Sequence, residues 1–205
     1  MKRFVLSFAL AVGLLASAST AMAQTVNMSR YITLTVTNGA AIKLDFAAAS
    51  AGTPVRIVSG SNTQNITAGT TWSGIATYTA DGTTMTVYGD LTGFDCQQNK
   101  VNLTALDVSH NTQLEILGCN NNILTALDLS KNTQLKFLYC YNNKLSSLNL
   151  SKNTKLHMLI CYGNNLSTQA LDDIYCALPD RTGNTNGKIQ PVYNSSSSNL
   201  ATVLA

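Results

Sequence analysis

Residues 103–166 say one thing three times: LTALDVSHNTQLEILGCNNNI at 103–123, LTALDLSKNTQLKFLYCYNNK at 124–144, LSSLNLSKNTKLHMLICYGNN at 145–165, with Leu166 opening a fourth round. The period is 21 residues. Leu106, Leu127 and Leu148 recur in register, as do Leu114, Leu135 and Leu156, then Leu117, Leu138 and Leu159. A fixed period of this length predicts stacked coils, because one such unit buries its apolar face only against its neighbours.

The second half of each unit reads L-x-x-L-x-C-x-x-N-x-L, as in Leu135, Leu138, Cys140, Asn143 and Leu145. Leu138 and Cys140 are two apart, so on a strand they share one side, while Phe137, Tyr139 and Tyr141 share the other. The first half, with Leu127, Leu129 and Asn132, copies the same device. Each repeat is therefore expected to hold one strand and one extended return arm. The asparagines fall into two series, Asn99, Asn122, Asn143, Asn164 and Asn111, Asn132, Asn153. A buried amide can satisfy backbone donors and acceptors left by tight turns, so both series read as ladders, against the plainer preference of Asn for turns.

These blocks resemble the leucine-rich repeats of 21 residues, especially the cysteine-containing repeats of internalin-like and Bacteroidetes-type bacterial surface proteins. The resemblance covers about residues 91 to 178. It implies a short right-handed leucine-rich-repeat solenoid with a concave parallel sheet, used outside the cell to bind partners, and it does not imply catalysis.

At the amino terminus, Lys2 and Arg3 precede an apolar run from Phe4 to Ala18 and the small-x-small sequence Ala21-Met22-Ala23. This pattern predicts a signal peptide over residues 1–23. The run is too short for an ordinary membrane span, and Gln24, not a cysteine, follows, so no lipid anchor is expected. Losing Lys2 and Arg3 takes the basic count from 13 to 11 against 10 acidic residues, so the formal charge falls from +3 to +1. With no basic runs, nucleic acid is not an expected partner. The expected location is secreted, at the cell surface or in the periplasm.

Residues 24–90 lack the leucine period and are rich in Thr, Ala, Gly and Ser. They are expected to form a small all-β cap ahead of the repeats at 91–166. A hairpin is predicted at Asn38-Gly39 between Tyr31–Thr37 and Ala41–Phe46, a second at Asp81-Gly82 between Ile75–Thr79 and Thr83–Tyr88, and a further strand at Pro54–Val58. Trp72, between Gly69 and Gly74, reads as packing. After Leu166 the residues 167–205 form a carboxyl-terminal cap. It comprises a helix over Thr168–Leu178 with Leu171, Ile174 and Leu178 on one face, a final strand in Lys188–Tyr193, and a tail without an anchor that suggests a longer natural chain.

The whole is thus expected to be mainly β with a small α contribution. Cys96, Cys119, Cys140 and Cys161 take an inward, normally aliphatic position, and parallel Cβ vectors on neighbouring strands suit a disulfide poorly, so they read as a buried column of free thiols. Cys176 stands apart on the helix. No paired C-x-x-C cluster points to zinc, and neither His110 nor His157 lies near a nucleophile motif. Asp172 and Asp173 diverge on a helix, while Asp107, Asp128 and Asn149 are one-per-repeat structural positions. No cofactor, metal or catalytic residue is expected, and an enzyme is not.

The outward strand positions carry the informative side chains. Coil by coil they are Gly93, Asp95, Gln97; Ile116, Gly118, Asn120; Phe137, Tyr139, Tyr141; Met158, Ile160, Tyr162. Strands about 4.8 Å apart merge the last two rows into one apolar and aromatic patch. The candidate ligand-binding residues are therefore Asp95, Ile116, Phe137, Tyr139, Tyr141, Met158, Ile160 and Tyr162. The expected function is binding of an extracellular protein or glycan through the concave face, in adhesion or host and cell interaction. A structural or self-associating surface module is the alternative.

Overall fold

The computed structural model describes residues 25–178 and 188–190. Eight strands occupy the first half of this region: β1 (Tyr31–Val36), β2 (Ala41–Ala48), β3 (Thr53–Ser59), β4 (Asn62–Ala68), β5 (Ala76–Thr79), β6 (Thr84–Tyr88), β7 (Leu91–Asp95) and β8 (Leu103–Asp107). The repeats add three short strands, β9 (Ile116–Gly118), β10 (Phe137–Tyr139) and β11 (Met158–Ile160). Helix α1 (Thr168–Ala177) and strand β12 (Lys188–Gln190) follow.

These strands make two sheets, and this overturns the expectation of a short right-handed solenoid with a concave parallel sheet behind a small all-β cap. One sheet has five strands in the order β4-β3-β6-β1-β8, all antiparallel. The other has seven, in the order β12-β11-β10-β9-β7-β2-β5, and is mixed. Its run from β7 to β12 is parallel, while β2 joins β7 antiparallel, with Asp45 opposite Asp95 and Phe46 opposite Phe94. The parallel ladder is therefore one part of a two-sheet β fold and not a fold of its own. The physical reason is the edge of β7: an unpaired strand edge in the first coil is a template, and β2 occupies it through main-chain bonds.

The two predicted hairpins are also corrected. Strands β1 and β2 do not pair with each other; they lie in different sheets, and so do β5 and β6. Asn38-Gly39 and Asp81-Gly82 are corners at which the chain passes from one sheet to the other. The corners clasp each other: the Gly39 N–H donates to Ala80 O at 3.0 Å, and the Gly82 N–H to Asn38 Oδ1 at 2.8 Å. Alternation explains why this packs. Ile32, Leu34 and Val36 of β1 and Ile42, Leu44 and Phe46 of β2 are buried in one continuous core with the repeat leucines. Strand β4 was not predicted, because as an edge strand it is almost wholly exposed and shows no apolar alternation.

Inside the repeats the structure separates the two uses of Asn. One residue after each ladder strand adopts positive φ, namely Gln98, Asn121, Asn142 and Gly163, a conformation that Asn and Gly adopt most readily. The next series is the buried ladder. Asn122 Nδ2 donates to Cys96 O and Cys119 O at 3.0 and 2.9 Å, and Asn143 Nδ2 to Cys119 O and Cys140 O at 3.0 and 3.1 Å. Asn164 repeats the pattern on Cys140 O and Cys161 O. At the start of the series, Asn99 reaches into β2, accepting from the Lys43 N–H at 2.7 Å and donating to Lys43 O at 3.0 Å. The second series is less complete: Asn132 and Asn153 donate to backbone carbonyls one coil back, but the Oδ1 atoms of Asn111, Asn132 and Asn153 are buried without a hydrogen-bond partner among the described residues.

Cys96, Cys119, Cys140 and Cys161 are free and buried, and Cys176 is free and exposed. Helix α1 starts at Ser167, whose Oγ accepts from the Ala170 N–H at 3.1 Å, and buries Ala170 and Ile174. Leu171 and Leu178 of the expected face are half-buried, while Pro179 and the tail beyond Gln190 lie outside the described residues.

Candidate functional site

The site is built on the outward side of the seven-stranded sheet. Parallel register sets Gly93 beside Ile116, Ile116 beside Phe137 and Phe137 beside Met158; one row on, Asp95, Gly118, Tyr139 and Ile160 are neighbours. Ile116, Phe137, Met158, Tyr139 and Ile160 are all half-buried, as is Asp95. Beyond the strands, Tyr141 and Tyr162 stack with ring centroids 4.8 Å apart and planes at 21°. The Tyr139 hydroxyl donates to Met158 Sδ at 3.3 Å, which ties two rows together.

The structure draws half of the expected residues into a tighter arrangement. Asp95, Ile116, Phe137 and Tyr139 line a cleft of about 280 Å³, and Trp72 and Gly118 complete it. Trp72 arrives from the connection between β4 and β5. That segment lies along β2, with Ala48 N–H donating to Gly69 O at 2.8 Å and Ser73 N–H to Phe46 O at 3.1 Å. The indole then crosses toward Gly93: a Cβ built there would stand 3.1 Å from Trp72 Cη2 and 3.0 Å from the Ala47 Cβ. At Gly118 a Cβ would stand 2.8 Å from the Asp95 carboxylate. Both glycines thus keep clear the space that the indole and the carboxylate occupy.

Trp72 packs over Gly93, as the sequence suggested, and is 40 % exposed, so its indole also forms part of the cleft wall. The available signal for the cleft was the pair of outward glycines, Gly93 and Gly118, at positions where later coils carry Phe137, Met158, Tyr139 and Ile160. Tyr141, Met158, Ile160 and Tyr162 continue the face without lining the cleft.

Charge in the cleft comes from Asp95. Its Oδ1 accepts from the Gln97 N–H and its Oδ2 from Gln97 Nε2, both at 2.8 Å. Burial, the largest influence, raises the Asp95 carboxyl above its ordinary range; the Gln97 N–H opposes this and the charge of Asp45 adds to it. Asp45 stands directly across the β2–β7 pairing and its Oδ1 accepts from Phe46 N–H at 2.8 Å and Ser73 Oγ at 2.7 Å. Burial also lifts the Tyr139 hydroxyl above its usual pKa. Among the described residues no group of three or more His, Cys, Asp or Glu is placed to hold a metal ion.

No family model matches the chain, and no curated protein matches it. Among solved structures it is similar to a protein described as "Functional domain of InlJ from Listeria monocytogenes includes a cysteine ladder", at 28 % identity and a TM-score of 0.35. The match covers 51 % of this chain and 31 % of that one, so the chain spans about a third of that protein's length.

Proposed function

We propose that this protein is a secreted or cell-surface binding module, not an enzyme, and that it recognises a protein or glycan through the outward side of β7 and β9 to β11. The observation that carries this reading is the side-chain row itself. Phe137, Tyr139, Met158, Ile160 and the stacked pair Tyr141 and Tyr162 present apolar and aromatic surface on the side of the sheet away from the core. Such surface is costly to leave against water and typifies contact faces, with tyrosine a favoured anchor. Residues 1–23 support export by their charge and apolar pattern.

The test is binding to extracellular-matrix protein and glycan arrays, with the Tyr139→Ser, Tyr141→Ser, Tyr162→Ser triple variant beside the parent. Loss of at least about tenfold in affinity per good anchor is expected, with the β-rich circular dichroism spectrum retained. A folded triple variant that keeps full affinity for an array ligand removes this face from the function. Light scattering on the eluted protein decides the self-associating alternative: a defined homo-oligomer with no array ligand replaces the binding reading.

A further inference from the structure

We propose that the cleft under Trp72 receives a lysine-type alkylammonium group from a partner polypeptide. The inference rests on the binding reading above and names the chemistry of its most sharply formed part.

Asp95 lines the cleft and the buried Asp45 stands beside it on β2, and among the described residues neither has a counter-ion. Asp45 and Asp95 are directly opposed in the β2–β7 register, on the same side of the sheet. Among the described residues their hydrogen bonds come from neutral donors: Phe46 N–H and the Ser73 hydroxyl for Asp45, the two Gln97 groups for Asp95. The ion pairs among the described residues are Arg30 with Asp90 and Lys136 with Glu115, so neither Asp45 nor Asp95 has one. Lys43, two residues along β2, pairs with neither. Like charges directly opposed across an antiparallel pair are unfavourable, and partial burial removes the water that would soften their repulsion. A cation entering the cleft relieves both effects.

The remaining walls decide which cation. Trp72, Phe137 and Tyr139 line the cleft with Ile116. Aromatic faces attract an ammonium group, with Trp the best of them, and give a metal ion no ligand atoms. Ile116 and Phe137 suit the methylene stem that a lysine lays along apolar surface while its charged end seeks the carboxylate. A neutral sugar would stack on the indole but leave the charge of Asp95 unanswered.

The glycines show that the arrangement is specific to this coil. Tyr139 and Ile160 hold the outward position in the later coils; Gly118 holds it beside Asp95, and a Cβ there would meet the carboxylate at 2.8 Å. The carboxylate therefore projects over the one place in the row where the sheet carries no side chain.

Trp72 is the single tryptophan of the chain, so its fluorescence reports the cleft directly. The experiment titrates the whole chain with Nα-acetyl-lysine methylamide, with its Nε-acetylated neutral counterpart and with methyl glucoside. A saturable change in Trp72 emission is expected for the charged probe, at least about tenfold stronger binding than for either neutral probe, and weakening with added salt. Asp95→Asn, which keeps an acceptor for Gln97, should lose at least about tenfold for the charged probe while its urea midpoint stays at or above that of the parent. Equal binding of the charged and Nε-acetylated probes overturns the proposal, as does an Asp95→Asn protein that binds lysine like the parent. Preference for the glucoside turns the cleft into a sugar subsite and also overturns it. If the charged probe fails while the tyrosine triple variant still loses its array ligand, the cation inference falls alone and the binding face stands.

Discussion

The two asparagine series look equivalent in sequence and differ in what their removal should do. Asn143→Ala deletes donors to Cys119 O and Cys140 O, and deletes the Oδ1 that accepts the Leu124 N–H at 3.0 Å. Both carbonyls keep another partner, Asn122 Nδ2 and Asn164 Nδ2 respectively. The Leu124 N–H loses its one acceptor among the described residues, and it belongs to a fully buried leucine. An orphaned buried donor costs about 1–3 kcal/mol and the surrendered bonds about 1 more, giving about 2–4 kcal/mol. Asn132→Ala also removes two donations, to Val108 O and Asn111 O, but these carbonyls still accept the turn N–H groups of Asn111 and Leu114. Moreover, it removes a buried Oδ1 that had no partner among the described residues. Its expected cost is about 0–2 kcal/mol, because relief of the orphaned acceptor offsets the lost bonds. Burial alone gives the opposite order, since Asn132 is 0 % and Asn143 7 % exposed. Urea unfolding under reducing conditions decides between them: a gap of about 2 kcal/mol is about 1 M in midpoint for a chain of this size. Equal losses, or a larger loss for Asn132→Ala, would refute the accounting by unsatisfied groups.

Two further outcomes follow from the thiols and from Asp95. Burial pushes the Cys161 thiol up to about 12 and those of Cys96, Cys119 and Cys140 well above their ordinary value, so native titration with a thiol reagent should find Cys176 alone fast and four more groups after unfolding. Rapid native labelling of Cys140 in a peptide map would contradict the buried column. Asp95 holds its proton more tightly when folded than when unfolded, so it contributes a fall in stability as pH rises from its ordinary value of 3.8 through the raised one. Asp95→Asn should remove that fall and leave the protein at pH 7 as stable as the parent or more so; a loss above about 1 kcal/mol would show that the carboxylate is structural.

How much of this was legible depended on whether a feature was local or repeated. The inward leucines and cysteines, the Asn ladder and the outward rows followed from period two within a strand and from the 21-residue register, and the structure places them as the alternation required. What failed was pairing over distance. Asn38-Gly39 announces a tight turn, but a turn does not reveal whether the next strand folds back beside the last or crosses to a second sheet. That choice was made by β8 and β7, which lie far along the chain and take the flanks of β1 and β2. The place of Trp72 in the cleft was hidden for the same reason, since the indole packs over Gly93, 21 positions away on β7.

The positions of β1 and β2 also set the order of events when the chain folds. Both are interior strands, β1 between β6 and β8 and β2 between β5 and β7, and Thr33 must find Asp107 as Asp45 must find Asp95. Closing loops of that length precedes any reward from pairing, and β-rich topologies of this kind fold in milliseconds to seconds rather than microseconds. Until residues 91–107 are in place, β1 and β2 each keep a bare edge of unpaired N–H and C=O groups. A chain cut before Leu91 would hold both edges open permanently and so be prone to join edge to edge with its own copies. The strands at 91–107 thus cover the edges that β1 and β2 would otherwise leave open.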